Sequence, residues 1–119
     1  MPIHPSDMTP TCFEVQRLAA RAAGFSVRWS AERVEDGLLI AGANGERPWR
    51  PLESNDDATR LQNRLQIQVR VCKRSGHVRA EENAILEPRF AEVAVERDDP
   101  ERARRLAIVL LAARLLEEG

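Results

Sequence analysis

The chain has little cysteine, little aromatic surface and almost no lysine, and each scarcity narrows what it can be. Its two cysteines, Cys12 and Cys72, stand far apart, and Cys72 lies in an apolar-rich stretch where a free thiol behaves as a small hydrophobe. A disulfide framework is therefore not expected. Aromatic residues make up 4% of the chain, too few to lay out the series of rings on which single-stranded nucleic acid stacks. No apolar run reaches the roughly 20 residues that cross a bilayer. The longest, Leu106 to Leu116, is interrupted by Arg114 and reads as a packing helix. Residues Met1 to Thr11 have neither a basic n-region nor an apolar h-region, so no secretory signal is expected and the cytoplasm is the expected location. Lysine occurs once against seventeen arginines, a bias that fits GC-rich bacterial or phage coding and says nothing about activity.

What is present is an ordinary globular balance. Hydrophobic residues are 43%, charged residues 31%, and the net charge is −1, which is not the signature of disorder. A chain of 119 residues buries about two-thirds of its unfolded surface and folds without staples. The reading is one domain over residues 10–119 behind a flexible tail, residues 1–9.

The order of elements follows from periodicity and punctuation. Thr9 before Pro10 reads as a cap with proline at the first helical position, and Gly24 stops that helix after Ala23. Phe25, Val27 and Trp29 alternate with polar residues as a half-buried strand, and the Glu35-Asp36-Gly37 turn returns the chain into Leu38 to Ala41 as a hairpin. Gly42 to Asn55 holds Asn44-Gly45, Pro48 and Pro51 and is expected to be irregular. Asn55, Asp56 and Asp57 offer caps for a helix through Leu65 with Ala58, Leu61 and Leu65 on its apolar stripe. Ile67 to Cys72 is the clearest strand, turned back at Ser75-Gly76. His77 to Phe90 is ambiguous between strand and loop. Ala91 to Glu96 alternates again, and Asp98 or Asp99 caps a helix opened by Pro100 and Glu101 that runs to Glu118.

Trp49, Pro51 and Leu52, followed by Asp56, Asp57, Ala58, Leu61 and Leu65 and then the strand opened by Ile67, together resemble the phage α-β-α sandwich domain family of small bacteriophage and prophage proteins. The Asp99-Pro100 helix, rich in alanine and leucine, is similar to that family's C-terminal helix, and the leading helix before a Trp-containing strand is similar too. The resemblance spans most of residues 11 to 118 in order, with one compact motif at residues 49–67. It implies a helix-sheet-helix sandwich and a phage or prophage origin, hence a bacterial host cytoplasm, and it brings no catalytic residues.

The residues give an α+β fold with a mainly antiparallel sheet of about four strands and three helices. Alternation alone permits a two-layer α/β arrangement; the resemblance favours the three-layer sandwich. Core positions are expected at Phe25, Val27, Trp29, Leu38, Leu61, Leu65, Ile67, Val69, Val71, Val93, Val95, Leu106 and Leu110.

No nucleophile, metal cluster or phosphate loop stands out, and no catalytic residue, cofactor or metal ligand is assigned. Asp56 and Asp57 are neighbours on a helix start and read as caps rather than as paired catalytic carboxylates, and His77 beside Glu81 and Glu82 lacks the spacing of a zinc site. Trp49 between Arg47 and Arg50 reads first as a plug for the core. Charge is the most informative surface feature. Residues 47–79 hold eight basic and three acidic residues, and residues 80–101 hold two basic and eight acidic. Arg47, Trp49, Arg50, Arg60, Arg64, Arg70 and Arg74 form the candidate nucleic-acid surface, a second reading because Glu92 and Glu96 are placed to absorb Arg70 and Arg74 across strands. The leading expectation is a non-enzymatic accessory protein acting through contact with an unidentified phage or host protein. A homodimer is expected through Val109, Ala112, Ala113 and Leu116, because the last helix is apolar nearly all round and its excess face needs a cover.

Overall fold

A computed structural model describes residues 13–30, 37–42, 45–84 and 86–118. The expected tail at residues 1–9, the Thr9-Pro10 helix start and the Glu35-Asp36 turn lie outside the described residues, as does the side chain of Trp29. Three helices and six strands lie within them: α1 (Phe13–Ala22), β1 (Val27–Ser30), β2 (Gly37–Gly42), β3 (Gly45–Pro48), α2 (Asn55–Leu65), β4 (Gln68–Cys72), β5 (His77–Glu81), β6 (Phe90–Ala94) and α3 (Pro100–Glu118).

The fold is α+β with antiparallel pairing, as expected, but the strands do not form one sheet of about four. They form two three-stranded meanders, β1-β2-β3 and β4-β5-β6. Two segments account for the difference. Gly45–Pro48, expected to be irregular, pairs with β2, because Gly45 takes a left-handed turn conformation (φ 103°) that reverses the chain and Pro48 sits on an edge strand, where a missing N–H is tolerated. The ambiguous His77 segment is a full strand that sits between β4 and β6.

The helices end where local chemistry demands. Gly24, at φ 75°, lets Phe25 N–H reach back to the Ala20 carbonyl at 2.8 Å and closes α1. At the start of α2 the cap is Ser54, not the Asn55–Asp57 group: its hydroxyl accepts from Asp57 N–H at 3.2 Å, which frees the Asp57 carboxylate for other partners. The helix ends at Gln66, a left-handed residue that is not glycine (φ 55°). Asp99 caps α3 through Arg102 N–H at 3.1 Å.

The centre of the molecule is α3. One side lies on β5 and β6, and α1 and α2 pack against it elsewhere. The β4-β5-β6 sheet and α3 pack face to face, and α1 and α2 pack on α3 as well. Ala103, Leu106, Ala107, Ile108, Val109, Leu111, Ala112 and Ala113 are all buried. This corrects the dimer argument. Val109, Ala112 and Ala113 are covered inside the monomer and Leu116 is half-buried, so they do not form a free face. The cover is α1, whose Ala19 and Ala20 are buried, together with Ala23 just past its end. Alanines let two helices approach closely, so a short helix carrying Glu14, Arg17 and Arg21 on its other side still shields a long one.

Most expected core positions are buried or half-buried, including Leu38, Leu61, Ile67, Val93 and Leu106. Val71 is the exception, at 53% exposure. It occupies the core-facing side of β4, but β4 is an edge strand and α3 does not extend over it as it does over β5. No helix among the described residues is long and apolar enough to cross a membrane.

Candidate functional site

Trp49 is fully buried, packed edge-on against Phe25 with ring centroids 5.4 Å apart. Its backbone N–H donates to the Leu38 carbonyl at 2.8 Å, and its indole N–H has no partner among the described residues. A ring in that position cannot stack a base. The buried Asp57 carboxylate clamps the same loop to α2. One oxygen accepts from Arg47 Nη1 at 2.9 Å and the other from Arg50 backbone N–H at 3.0 Å. The compact motif at residues 49–67 is thus a structural joint: Ser54 caps the helix, Asp57 holds the loop, and Trp49 fills the core beneath it.

The remaining candidate arginines separate. Arg64 Nε donates to the Ala23 carbonyl at 3.0 Å, closing the end of α1. Arg70 pairs with Glu81 at 3.3 Å, and Arg50 lies 3.5 Å from Glu53. Arg60 and Arg74 are exposed. Two arginines outside the candidate set serve the same structural purpose: Arg104 donates to Thr59 Oγ1 at 2.7 Å, and Arg105 reaches the Leu52 carbonyl and Asn55 Oδ1. A guanidinium carries several donors in a rigid fork, which lets one side chain satisfy two elements at once. Of the seven candidate residues, Trp49 is buried and Arg47, Arg50, Arg64 and Arg70 each have a partner within the chain.

The solvent face of β4-β5-β6 carries the richest constellation, and its centre was missed because β5 was ambiguous. Arg70 does not stand beside Glu92 as expected, because β5 lies between their strands and sets Arg79 there instead. Arg79 of β5 pairs with Glu92 at 3.1 Å and lies 3.3 Å from Glu81, while its guanidinium carbon sits 3.8 Å from the centre of the Phe90 ring. His77 Nε2 lies 3.1 Å from the other Glu92 oxygen. The signal was present in the sequence, since His77, Arg79 and Glu81 alternate strictly with Val78 and Ala80.

At the end of this sheet the β5–β6 connection is closed at its neck. Glu82 accepts from Arg89 N–H at 2.9 Å and from Arg89 Nε and Nη2 at 3.1–3.3 Å, and Glu82 N–H donates to the Arg89 carbonyl at 2.9 Å. The Arg89 backbone N–H first, and its guanidinium second, hold the Glu82 carboxyl below its ordinary pKa. The loop so closed presents Leu86 at 83% exposure, next to Glu87 in a left-handed conformation (φ 48°), with Phe90 exposed just beyond it.

Compared with protein-family models, curated proteins and solved structures, the chain matches none. No group of three or more His, Cys, Asp or Glu side chains suited to a metal ion occurs among the described residues. What the arrangement offers chemically is a shaped surface: a clamped loop with an apolar tip beside a sheet face of ordered charges.

Proposed function

We propose that this chain is a non-enzymatic accessory protein of phage or prophage origin that acts by protein–protein contact in the bacterial host cytoplasm. The observation that carries the reading is the 82–89 loop. A backbone bond and a forked ion pair hold its neck, and a left-handed non-glycine residue stands at its tip, yet the side chain so displayed is a leucine with most of its surface in water. Burying that side chain in a partner's apolar pocket is worth roughly 1.5–3 kcal/mol, and the closed neck has already met part of the ordering cost of binding. The phage setting rests on the resemblance over residues 49–67 and the C-terminal helix.

The test is affinity capture from a lysate of prophage-bearing bacteria, with wild type and Leu86→Asp immobilised side by side and retained proteins identified by mass spectrometry. A protein retained by wild type and lost from the variant supports the reading; identical retention on both surfaces contradicts it. Nucleic-acid binding is the lesser reading, since Trp49 is buried and Arg47 and Arg70 are engaged with carboxylates.

A further inference from the structure

The free edge of β4 completes neither of its two faces. Among the described residues β4 pairs with β5 alone. On the α3 side the register aligns Val71, Val78 and Val93 in one row across the sheet; Val78 and Val93 are fully buried, and Val71 is 53% exposed. The apolar row runs on past its cover. On the solvent side the corresponding row is Arg70, Arg79 and Glu92. Arg79 has Glu92 on its far side, but Arg70 stands directly opposite a like charge and meets Glu81 only diagonally, with 69% of its side chain exposed. Like charges directly opposed on neighbouring strands are destabilising, and an acid on the other side of Arg70 would relieve the pair. Lys73 and Arg74 continue the exposed positive charge past the end of the strand.

From these two rows we infer that β4 is a docking edge for an extended segment of a partner protein in which acidic residues alternate with β-branched apolar ones. An added strand takes its affinity from main-chain hydrogen bonds and its specificity from alternate side chains. Its apolar residue beside Val71 extends the buried row, and its acidic neighbour beside Arg70 completes the charged row. The same charges disfavour a second copy at this edge, since β4 against β4 gathers Arg70, Lys73 and Arg74 from both copies along one seam. The inference rests on the protein-contact reading and adds the chemistry of the partner, at a different part of the sheet from the Leu86 loop.

The test uses the full chain and a labelled peptide, Glu-Val-Glu-Val-Glu-Val-Glu, followed by fluorescence anisotropy and by amide exchange at residues 68–72. Two control peptides accompany it, one with lysine in place of glutamate and one with alternate amides N-methylated. The expected result is saturable binding of the acidic peptide with slowed exchange along β4. Binding should be about tenfold weaker for the lysine peptide and for Arg70→Glu, the reach of a few cross-strand charge pairs. The N-methylated peptide should not bind. Equal binding of the N-methylated peptide would reduce the site to charge attraction and overturn strand addition, as would absence of binding. Sedimentation of the chain alone as a dimer, with exchange at residues 68–72 slowed as its concentration rises, would assign the edge to a second copy and overturn the inference. Failure of the peptide alongside a partner lost from Leu86→Asp would remove the edge and leave protein contact standing.

Discussion

The two sheets of this molecule solve opposite problems. In β1-β2-β3 the middle strand is buried on both faces: Leu38, Leu39 and Ile40 are consecutive and all below 8% exposure. The chain that follows them seats Trp49 and the Asp57 clamp in the interior. In β4-β5-β6 one face lies on α3 and the other faces water, so polar and apolar residues alternate and the charges pair among themselves. A strand covered on both sides reads as a short apolar run, and a strand covered on one side reads as alternation. The polar groups therefore carry different energetic weight. Beside the first sheet the buried Asp57 holds loop backbone in place, while the Arg28–Glu46 pair that bridges β1 and β3 is exposed; in the second sheet the charges are many and each is partly solvated.

Four measurements test that contrast, from the largest expected effect downward. Trp49→Ala should cost about 3–5 kcal/mol, the range for truncating a large buried aromatic. Urea denaturation followed by circular dichroism measures it, and an unchanged midpoint would mean that the loop contributes no core. Asp57→Ala removes the acceptor of two hydrogen bonds, one of them from a charged group, and should cost about 2 kcal/mol by the same measurement. A loss no greater than that of an exposed pair would show that the clamp is solvated like the other sheet. On the charged face, Arg79→Ala removes the hub of the row and its contact with Phe90, yet it should cost only about 1 kcal/mol because the pairs are partly solvated. A double-mutant cycle with Glu92→Gln isolates the pair, and a coupling as large as the Asp57 effect would erase the distinction between the sheets.

The smallest effect is a dependence on pH. The Glu82 carboxyl titrates below its unfolded value in the folded chain, so its contribution is complete above the ordinary glutamate range and is lost as pH falls through the lowered folded value. Wild type should therefore be more stable than Glu82→Gln at neutral pH, and the gap should close in strong acid. Denaturation curves of both proteins at neutral and acid pH check the sign. A gap that widens in acid would mean that the loop neck is not held by the charged carboxylate.

Legibility in the sequence followed solvation. β4 was plain because Val69 and Val71 alternate with Gln68 and Arg70. The ends of α1 and α3 were plain because Gly24 and Asp99-Pro100 act through their own backbone and nearest neighbours. The start of α2 was only half legible, since Ser54, Asn55, Asp56 and Asp57 all suit a cap, and the loop 47–50 decides which of them is free to serve. β3 was hidden by Pro48, whose acceptability depends on its lying at an edge. Of the candidate site, the charges were legible but their partners were not. Arg70 was expected to meet Glu92, and the strand between them gave that place to Arg79. The Leu86 loop had no signature, because Glu82 and Arg89 meet only once β5 and β6 have paired.

By itself the sequence determined the class of secondary elements, the absence of any apolar run long enough for a bilayer, and the burial of Trp49, since each follows from local periodicity or from the solvation of a single side chain. The tertiary structure alone decided which element covers which. The apolar surface of α3 is equally satisfied by a sheet, by the alanines of α1 or by another molecule, because hydrophobic burial has no direction. Cross-strand partners likewise depend on strand order, which no residue specifies alone. The exposure of Val71 and Leu86 is of this kind: both are ordinary core residues by type, and only the limits of α3 and the closed neck at Glu82 and Arg89 leave them facing water.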